Sequence, residues 1–111
     1  MKLMNLHLIT GGSGYVGSHI VKRLLELGEH VRIMDLWRDA NLSPNVDFFH
    51  GDVTNPEDVV KALEGVDYVH HTAAKVPLTK AGKNFERVNF NGTKIVIEKS
   101  IENKVKHISH I

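Results

Sequence analysis

The glycine-rich stretch from Thr10 to Gly17, Thr-Gly-Gly-Ser-Gly-Tyr-Val-Gly, most constrains the fold of this 111-residue chain. An apolar run from Leu3 to Ile9 precedes it, and apolar residues at helical spacing follow it from Val16 onward. This order predicts a strand, a glycine loop and a helix. The spacing of the glycines fits the G-x-G-x-x-G pattern in the structural context that the pattern requires.

Each glycine of the motif has its own predicted task. Gly11 and Gly12 allow a sharp turn where side chains would clash, and Gly14 removes a Cβ so that a pyrophosphate can approach the backbone. Gly17 allows the helix to sit close to the strand. The stretch therefore predicts a phosphate-binding loop, with a loop cluster of glycines that binds nothing as the alternative.

The first turn of the predicted helix supplies the remaining groups of this loop. The backbone N–H groups of Tyr15 and Val16 have no partner inside the helix, so they can point at the phosphates of a ligand. The helix dipole adds favourable charge at the same place. We therefore expect a dinucleotide to bind here.

A second part of the dinucleotide pattern follows the helix. Gly28 is expected to end the helix, and His30 to Met34 reads as a short strand that Asp35 closes. A carboxylate about twenty residues beyond the glycines typically accepts hydrogen bonds from the adenosine ribose. Because Asp35 would repel a ribose 2′-phosphate, NAD is the expected cofactor rather than NADP.

Trp37 and Arg38 lie just beyond that carboxylate. Arg38 is a candidate to stack on the adenine through its planar guanidinium group. A solvated arginine beside a half-buried tryptophan is an equally good interpretation. Arg38 is also the one feature that would tolerate a 2′-phosphate.

The rest of the chain continues to alternate between strands and helices. A capping box is predicted at Thr54 and Glu57, with Pro56 in the first turn of the helix that it begins. The other predicted elements, in chain order, are a strand at Val46–His50, a helix that ends at Gly65, a strand at Val66–Thr72, a helix at Asn84–Asn103 and a strand at Val105–Ile111. Alternation of this kind predicts an α/β fold of Rossmann type, a parallel sheet of order 3-2-1-4-5 with helices on both faces. A ligand would bind above strands 1 and 4.

Composition excludes several classes of function. The chain has 41% hydrophobic and 24% charged residues and a net charge of +1, which gives no argument for nucleic acid or an anionic membrane as a partner. It has no signal peptide pattern, no apolar run of about 18 residues and no cysteine, so a cytoplasmic location is the default expectation. His70 and His71 are consecutive on a strand and point to opposite faces, so no metal site is expected.

The order of motifs in this chain resembles that of the extended short-chain dehydrogenases/reductases, the NAD-dependent epimerase/dehydratase family. The matching segments are Thr10–Gly17, Asp35, Gly51-Asp52-Val53, His71-Thr72-Ala73-Ala74 and Val88-Asn89-Phe90-Asn91-Gly92-Thr93. The resemblance covers the whole chain.

The resemblance implies roles for further residues. Asp52 and the amide of Val53 would contact the adenine. The segment that holds Thr72, Ala73 and Ala74 would lie along the nicotinamide side, and Asn89 on the long helix would be a further cofactor contact. Lys75 follows them and could reach the pyrophosphate, although a solvated loop lysine is the simpler interpretation.

The resemblance also implies an enzyme that transfers a hydride between nicotinamide and a substrate carbinol, such as a nucleotide sugar or a steroid-like alcohol. The family's catalytic serine and Tyr-x-x-x-Lys motif would come after strand 5. Neither Tyr15 nor Tyr68 has a lysine four residues later. Residues 1–111 are therefore expected to be an incomplete cofactor-binding domain, without a substrate domain and inactive alone.

Two further expectations concern an alternative function and the oligomeric state of the chain. A non-catalytic module that binds or senses a dinucleotide is the alternative to an enzyme part. The exposed edge of strand 5 predicts a homodimer, formed either along that edge or through the long helix.

Overall fold

Strands and helices alternate along the chain. The computed structural model describes residues 5–12, 14–38, 40–72 and 82–110, with side chains in the last range from 90 to 109. The strands are β1 Leu6–Thr10, β2 His30–Asp35, β3 Asp47–His50, β4 Tyr68–His71 and β5 His107–His110. The helices are α1 Tyr15–Glu26, α2 Pro56–Ala62 and α3 Gly82–Glu102.

All five strands form one parallel sheet of order β3-β2-β1-β4-β5, which confirms the predicted topology. The central strand β1 pairs with β2 from Leu6 opposite His30, and with β4 from His7 opposite Tyr68. The chain leaves β1 toward β2 and later returns to add β4 on the other side of β1. The carboxyl ends of β1 and β4 therefore form the switch point at which ligands bind in such sheets.

The two faces of the sheet are covered by different helices. Ile9 and Ile33 lie on one face and pack in a cluster with Val21 of α1. Leu8 and Val96, from β1 and α3, belong to the cluster on the other face, which α2 also joins. This alternation of side chains follows from the two-residue period of a strand.

The end of α1 matches the prediction. Gly28 has a φ of +79°, a left-handed conformation that glycine adopts without a Cβ penalty. Its N–H donates to the carbonyl of Leu25 at 3.0 Å, and the N–H of Glu29 donates to that of Leu24 at 3.0 Å. This pair of bonds is a Schellman motif, and it turns the chain from α1 into β2.

The start of α2 differs from the prediction. Asn55 is the N-cap, and its side-chain oxygen accepts hydrogen bonds from the N–H groups of Glu57 at 3.0 Å and Asp58 at 3.4 Å. The predicted Thr54–Glu57 capping box is wrong because the Thr54 hydroxyl donates to Asp52 Oδ1 at 2.7 Å. Pro56 does occupy the first turn.

Arg32 fastens α2 to the sheet. Its Nη1 donates to the carbonyls of Ala62 at 2.7 Å and Glu64 at 2.8 Å, where the helix has ended. Its Nε donates to Asp47 Oδ2 of the adjacent strand at 2.8 Å. The side chain therefore satisfies carbonyls that have no partner within the helix, and it fixes where α2 ends.

Gly92 allows α3 to approach its neighbours closely. A Cβ added there would lie 2.7 Å from Cγ2 of Val53, in the segment after β3. The helix therefore approaches the segment after β3 closely at this glycine. None of the helices that the structure describes is long and apolar enough to cross a membrane.

Candidate functional site

The glycine loop is tied to the end of β2. The N–H of Gly11 donates to the carbonyl of Met34 at 2.9 Å, and the N–H of Gly14 donates back to the carbonyl of Gly11 at 3.0 Å. Gly11 takes the turn with a φ of +73°. These bonds bring the loop beside Asp35, the residue that follows Met34.

Three of the glycines differ in what surrounds them. A Cβ on Gly12 would lie 2.6 Å from Cγ1 of Ile33, and one on Gly17 would lie 2.8 Å from Cα of Gly12. Packing within the protein thus requires both, and Gly17 makes its close contact with the loop rather than with the strand. Among the described residues, a Cβ on Gly14 would meet only the carbonyl oxygen of Gly11, at 3.3 Å, and no other described atom fills the space in front of Gly14.

Within the part of the chain that the structure describes, no side chain caps the beginning of α1. Gly14 is its N-cap residue, and the first turn contains no acidic residue. The side chains of Tyr15 and Val16 are exposed. An uncapped first turn leaves backbone N–H groups directed outward with the positive end of the helix dipole behind them.

Helix α2 provides a contrast within the same chain. Its first turn is capped by Asn55 and carries the acidic residues Glu57 and Asp58. The Asn55 side chain accepts from the N–H groups of the first turn, and the two carboxylates offset the positive end of the helix dipole, so this N-terminus does not favour an anion. Of these two helices, only α1 has an N-terminus suited to a phosphate.

Asp35 lies where the ends of β2 and β3 meet. Its carboxylate accepts a hydrogen bond from the N–H of Leu36 at 2.7 Å, and its carbonyl accepts one from the N–H of Gly51 at 3.1 Å. The bond between Gly11 and Met34 places the glycine loop on its other side. The carboxylate therefore stands at the carboxyl edge of the sheet, between the loops after β1 and β3.

The segment after β3 is held by its own hydrogen bonds. Asp52 Oδ1 accepts from the N–H and hydroxyl of Thr54 at 2.8 and 2.7 Å, and the N–H of Asp52 donates to Asp58 Oδ2 at 3.1 Å. Val53 is buried against α3. One oxygen of the Asp52 carboxylate is thus used by the turn.

Thr72 fastens the end of β4 to the glycine loop. Its N–H donates to the carbonyl of Thr10 at 3.1 Å. Its hydroxyl lies 2.6 Å from that same carbonyl oxygen and 3.3 Å from that of Gly11. The two sides of the crevice between β1 and β4 are therefore joined at its base.

The structure also contains two residues that the sequence analysis did not assign to the site. Thr10 and His71 are both buried, they face each other at the ends of β1 and β4, and Thr10 Oγ1 lies 2.7 Å from His71 Nδ1. The sequence pattern that indicates such a contact is a polar residue at the end of each of two strands that lie side by side in the sheet.

The structure does not place every predicted site residue. Arg38 lies exposed in the loop after β2, beside the exposed Trp37. Outside the described residues lie Ala73, Ala74, Lys75 and the side chain of Asn89. The predicted site residues that the structure gathers at the carboxyl edge are Gly11, Gly12, Gly14, Tyr15, Val16, Gly17, Asp35, Asp52, Val53 and Thr72.

The histidine side chains point as the strand period predicts. His70 Nε2 lies 2.9 Å from His7 Nδ1 on the α1 face, whereas His71 contacts Thr10 and Thr93 on the opposite face. Burial lowers the pKa of both His7 and His70 below the ordinary value of 6.5. Among the described residues, no three histidine, aspartate or glutamate side chains are placed to hold a metal ion.

A shallow groove between α2 and α3 contains none of the predicted site residues. It is lined by Pro56, Glu57, Val60, Lys61 and Lys99. The candidate site is instead the carboxyl edge around the glycine loop.

The fold and this edge define a Rossmann-type α/β domain, with a glycine loop that opens the first helix and an acidic residue that ends the second strand. The chain belongs to the 3-beta hydroxysteroid dehydrogenase/isomerase family, whose model matches residues 8–110. The resemblance to the epimerase/dehydratase group of short-chain dehydrogenases/reductases is thereby confirmed.

Named relatives agree with this assignment. The chain is 44% identical over 90 residues to sterol-4-alpha-carboxylate 3-dehydrogenase, decarboxylating, from Mus musculus, covering 81% of this chain and 25% of that protein. It is 35% identical over 108 residues to UDP-glucose 4-epimerase from Halalkalibacterium halodurans, covering 91% and 32%. The crystal structure of Thermus thermophilus UDP-glucose 4-epimerase in complex with NAD matches with a TM-score of 0.85 and 29% identity, covering 93% and 36%.

The chain spans about a quarter of the length of the first curated relatives that it matches. The family model covers the last three residues of β1, the glycine loop and strands β2 to β5.

Proposed function

We propose that this chain binds NAD(H) as the cofactor-binding part of an NAD-dependent dehydrogenase, epimerase or dehydratase. The observation that carries the proposal is the uncapped start of α1 behind the open space at Gly14, with Asp35 beside the same loop. Similar structures that hold NAD, such as the Thermus thermophilus epimerase, support it. Bound NAD would supply the hydride acceptor at C4 of its nicotinamide.

The residues of this chain would bind and orient the dinucleotide. The amides of Tyr15 and Val16 would hold the pyrophosphate, which the lack of a Cβ at Gly14 lets approach. Asp35 would accept hydrogen bonds from the adenosine ribose, and Asp52 and Val53 would contact the adenine. Arg38 would stack on the adenine, and Lys75 would reach the pyrophosphate. Thr72, Ala73 and Ala74 would lie along the nicotinamide side, and Asn89 would be a further contact to the cofactor.

We further propose a preference for NAD over NADP. A 2′-phosphate would lie beside the Asp35 carboxylate, and two like charges a few ångströms apart repel each other. No basic residue in the first turn of α1 or at position 36 would offset this repulsion. Arg38 is the first basic residue after Asp35 in sequence.

For the whole protein we propose hydride transfer on a substrate carbinol, such as a nucleotide sugar or a steroid-like alcohol. The names of the sterol dehydrogenase and epimerase relatives support this range of substrates. Residues 1–111 alone are proposed to be inactive, because neither Tyr15 nor Tyr68 has a lysine four positions later to support general acid–base catalysis.

The proposal also includes a homodimer. Support comes from the edge position of β5 and from exposed apolar side chains on α3, namely Phe90, Ile97 and Ile101. The cytoplasmic location expected from the sequence stays a prediction.

Calorimetric titration with NAD⁺ and NADP⁺ tests the cofactor and its selectivity. We expect Asp35→Ala to weaken NAD⁺ binding by about 1.5–3 kcal/mol, the usual value of hydrogen bonds to a charged group. The same change should narrow the gap between NAD⁺ and NADP⁺, because the repulsion disappears.

Glu98→Ala is the matched control, since it removes an exposed carboxylate on α3. It should leave both affinities unchanged. Equal affinities of the unaltered chain for NAD⁺ and NADP⁺ would contradict the selectivity, and would assign Arg38 to the 2′-phosphate.

A further inference from the structure

We propose that His71 is a positioning residue that holds the glycine loop against the end of β4 and ties both to α3. The inference rests on the proposed function, because the loop in question is the one that would bind the dinucleotide. It assigns to a buried histidine a role in shaping the site, without contact to the ligand.

The hydrogen bonds of His71 join three elements. His71 is 2% exposed at the end of β4, and Thr10 is fully buried opposite it at the end of β1. Nδ1 of His71 lies 2.7 Å from Oγ1 of Thr10, and Nε2 lies 3.1 Å from Oγ1 of Thr93 on α3. One imidazole ring therefore spans the distance from the central strand to the long helix.

The connection continues from Thr10 to the glycine loop. The N–H of Thr72 donates to Thr10 Oγ1 at 3.1 Å, and the Thr72 hydroxyl is 3.3 Å from the carbonyl oxygen of Gly11. That same carbonyl accepts the N–H of Gly14 at 3.0 Å, the bond that closes the loop. A shift of Thr10 would thus be felt at Gly11 and Gly14.

The geometry points to one arrangement of the protons. In the proposed arrangement, the Thr72 N–H is shared between the carbonyl oxygen and Oγ1 of Thr10, and the Thr10 hydroxyl donates its proton to Nδ1 of His71. A neutral imidazole with an acceptor at Nδ1 carries its proton on Nε2, from which it donates to Thr93.

An apolar role does not account for these contacts. His71 lies on the face of the sheet that packs against α2 and α3, where Leu8 and Val69 fill the core. A phenylalanine there would match the ring in shape but would remove one partner from each of two threonines. Such losses in a buried network cost more than the loss of an exposed hydrogen bond.

Three substitutions distinguish the hydrogen bond at Nδ1 of His71 from the one at Nε2. His71→Asn places an amide near the position of Nδ1 and keeps a bond to Thr10, whereas His71→Gln reaches the position of Nε2 and keeps a bond to Thr93. His71→Phe keeps neither. His107→Gln is the control, because it changes an exposed histidine at the start of β5, away from the loop.

We expect His71→Phe to raise the Kd for NAD⁺ about tenfold and each amide variant about threefold, in line with one or two neutral hydrogen bonds. His71→Asn combined with Thr93→Val should be no weaker than either change alone, since both remove the same bond. The amide NMR signals of Gly11 and Thr72 should shift in His71→Phe and stay in place in His107→Gln. Ring nitrogen shifts should show the proton of His71 on Nε2.

The outcomes separate this inference from the proposed function. A folded His71→Phe protein with unchanged Kd and unshifted Gly11 and Thr72 signals would overturn the inference while leaving NAD binding intact. If the unaltered chain binds no NAD⁺, the proposed function fails, and the amide shifts in the unliganded chain still decide whether His71 positions the loop. Where His71→Phe does not fold, the two amide variants supply the same comparison.

Discussion

At the scale of single residues, the protonation of His7 and His70 is coupled to the fold. His7 is buried, its ring stacks at 4.9 Å on Tyr68, and Nδ1 bonds to His70. Its Nε2 has no hydrogen-bond partner among the described residues and lies 4.0 Å from Glu29 Oε2. This pair lies on the α1 face, on the other side of the sheet from His71.

Both pKa values are lowered, and burial is the main cause in each. For His7, the carboxylates of Glu29 and Asp67 act in the opposite direction and limit the shift. For His70, repulsion from His7 and His107 adds to burial. The folded state therefore takes up these protons at a lower pH than the unfolded chain does.

We expect the free energy of unfolding to fall as the pH is lowered. The contribution of the two histidines is fully present above the unfolded pKa of 6.5 and is lost as the pH falls from there through the folded values. Each group can contribute a slope of up to about 1.4 kcal/mol per pH unit in that window. Urea unfolding measured from pH 7.5 to 5.5 checks this.

The matched pair for this experiment is His70→Gln and His30→Gln. His30 is exposed at the start of β2, so its removal should leave the slope unchanged, whereas His70→Gln should flatten it. A slope that is the same in all three proteins would show that other groups cause the acid sensitivity.

Single residues also show how far the sequence predicts the site. Gly11, Gly14 and Asp35 were identified correctly as neighbours, because the strand–loop–helix order fixes which loops meet at one edge of a parallel sheet. The role of Thr10 and His71 was not predicted. Their contact depends on the register of β1 against β4, and a period-2 pattern gives the face of a side chain but not its partner.

At the scale of elements, the helix ends show which rules act locally. α1 and α2 are each followed by a glycine in the left-handed conformation, Gly28 and Gly65. α3 ends in a Schellman motif like that of α1, with the N–H of Val105 donating to the carbonyl of Ser100 at 3.1 Å. Its left-handed residue, however, is Lys104, with a φ of +57°. A lysine there carries a Cβ that this conformation disfavours.

We expect Lys104→Gly to stabilise the protein by about 0.5–1 kcal/mol, since glycine adopts positive φ without a steric penalty. Thermal and urea unfolding measure the change. Asn103→Gly is the control, because Asn103 is one residue earlier and its φ is not positive. This change should not raise the free energy of unfolding. A Lys104→Gly protein no more stable than the unaltered chain would show that the left-handed lysine carries no strain.

The positions of the elements were predicted better than their boundaries. The periods of the apolar residues identified each strand and helix, because burial on one face decides whether an element forms. The cap of α2 was displaced by one residue because Asp52 takes the Thr54 hydroxyl, a competition between side chains that the capping pattern does not include.

At the scale of the whole molecule, two surfaces favour association. β5 is an edge strand, and Phe90, Ile97 and Ile101 lie at positions i, i+7 and i+11 of α3, along one exposed stripe. Ile108 of β5 packs against the core instead, so replacing it would unfold the protein rather than test the edge. The stripe and the edge are the two candidate dimer surfaces.

We expect the chain to self-associate, and sedimentation at several concentrations measures it. Ile101→Lys should give a monomer if α3 forms the contact. Ser109→Pro should give a monomer if the edge of β5 forms the contact. The N–H of Lys106 donates to the carbonyl of Asp67, toward β4. Because N–H groups alternate in direction along a strand, the N–H of Ser109 points away from β4, to the free edge that a second chain would use. A monomer at high micromolar concentration in the unaltered chain would rule out the dimer.

The central claim is that the space in front of Gly14 is the phosphate cradle of a dinucleotide site. Gly14 has a φ of −82°, which any residue adopts, and an added Cβ would meet one atom of the described residues, so Gly14→Val should fold normally by circular dichroism. The measurement is calorimetric titration of both proteins with NAD⁺. We expect saturable binding by the unaltered chain and none by Gly14→Val. Equal binding by the two proteins, or no binding by the unaltered chain, would contradict the assignment.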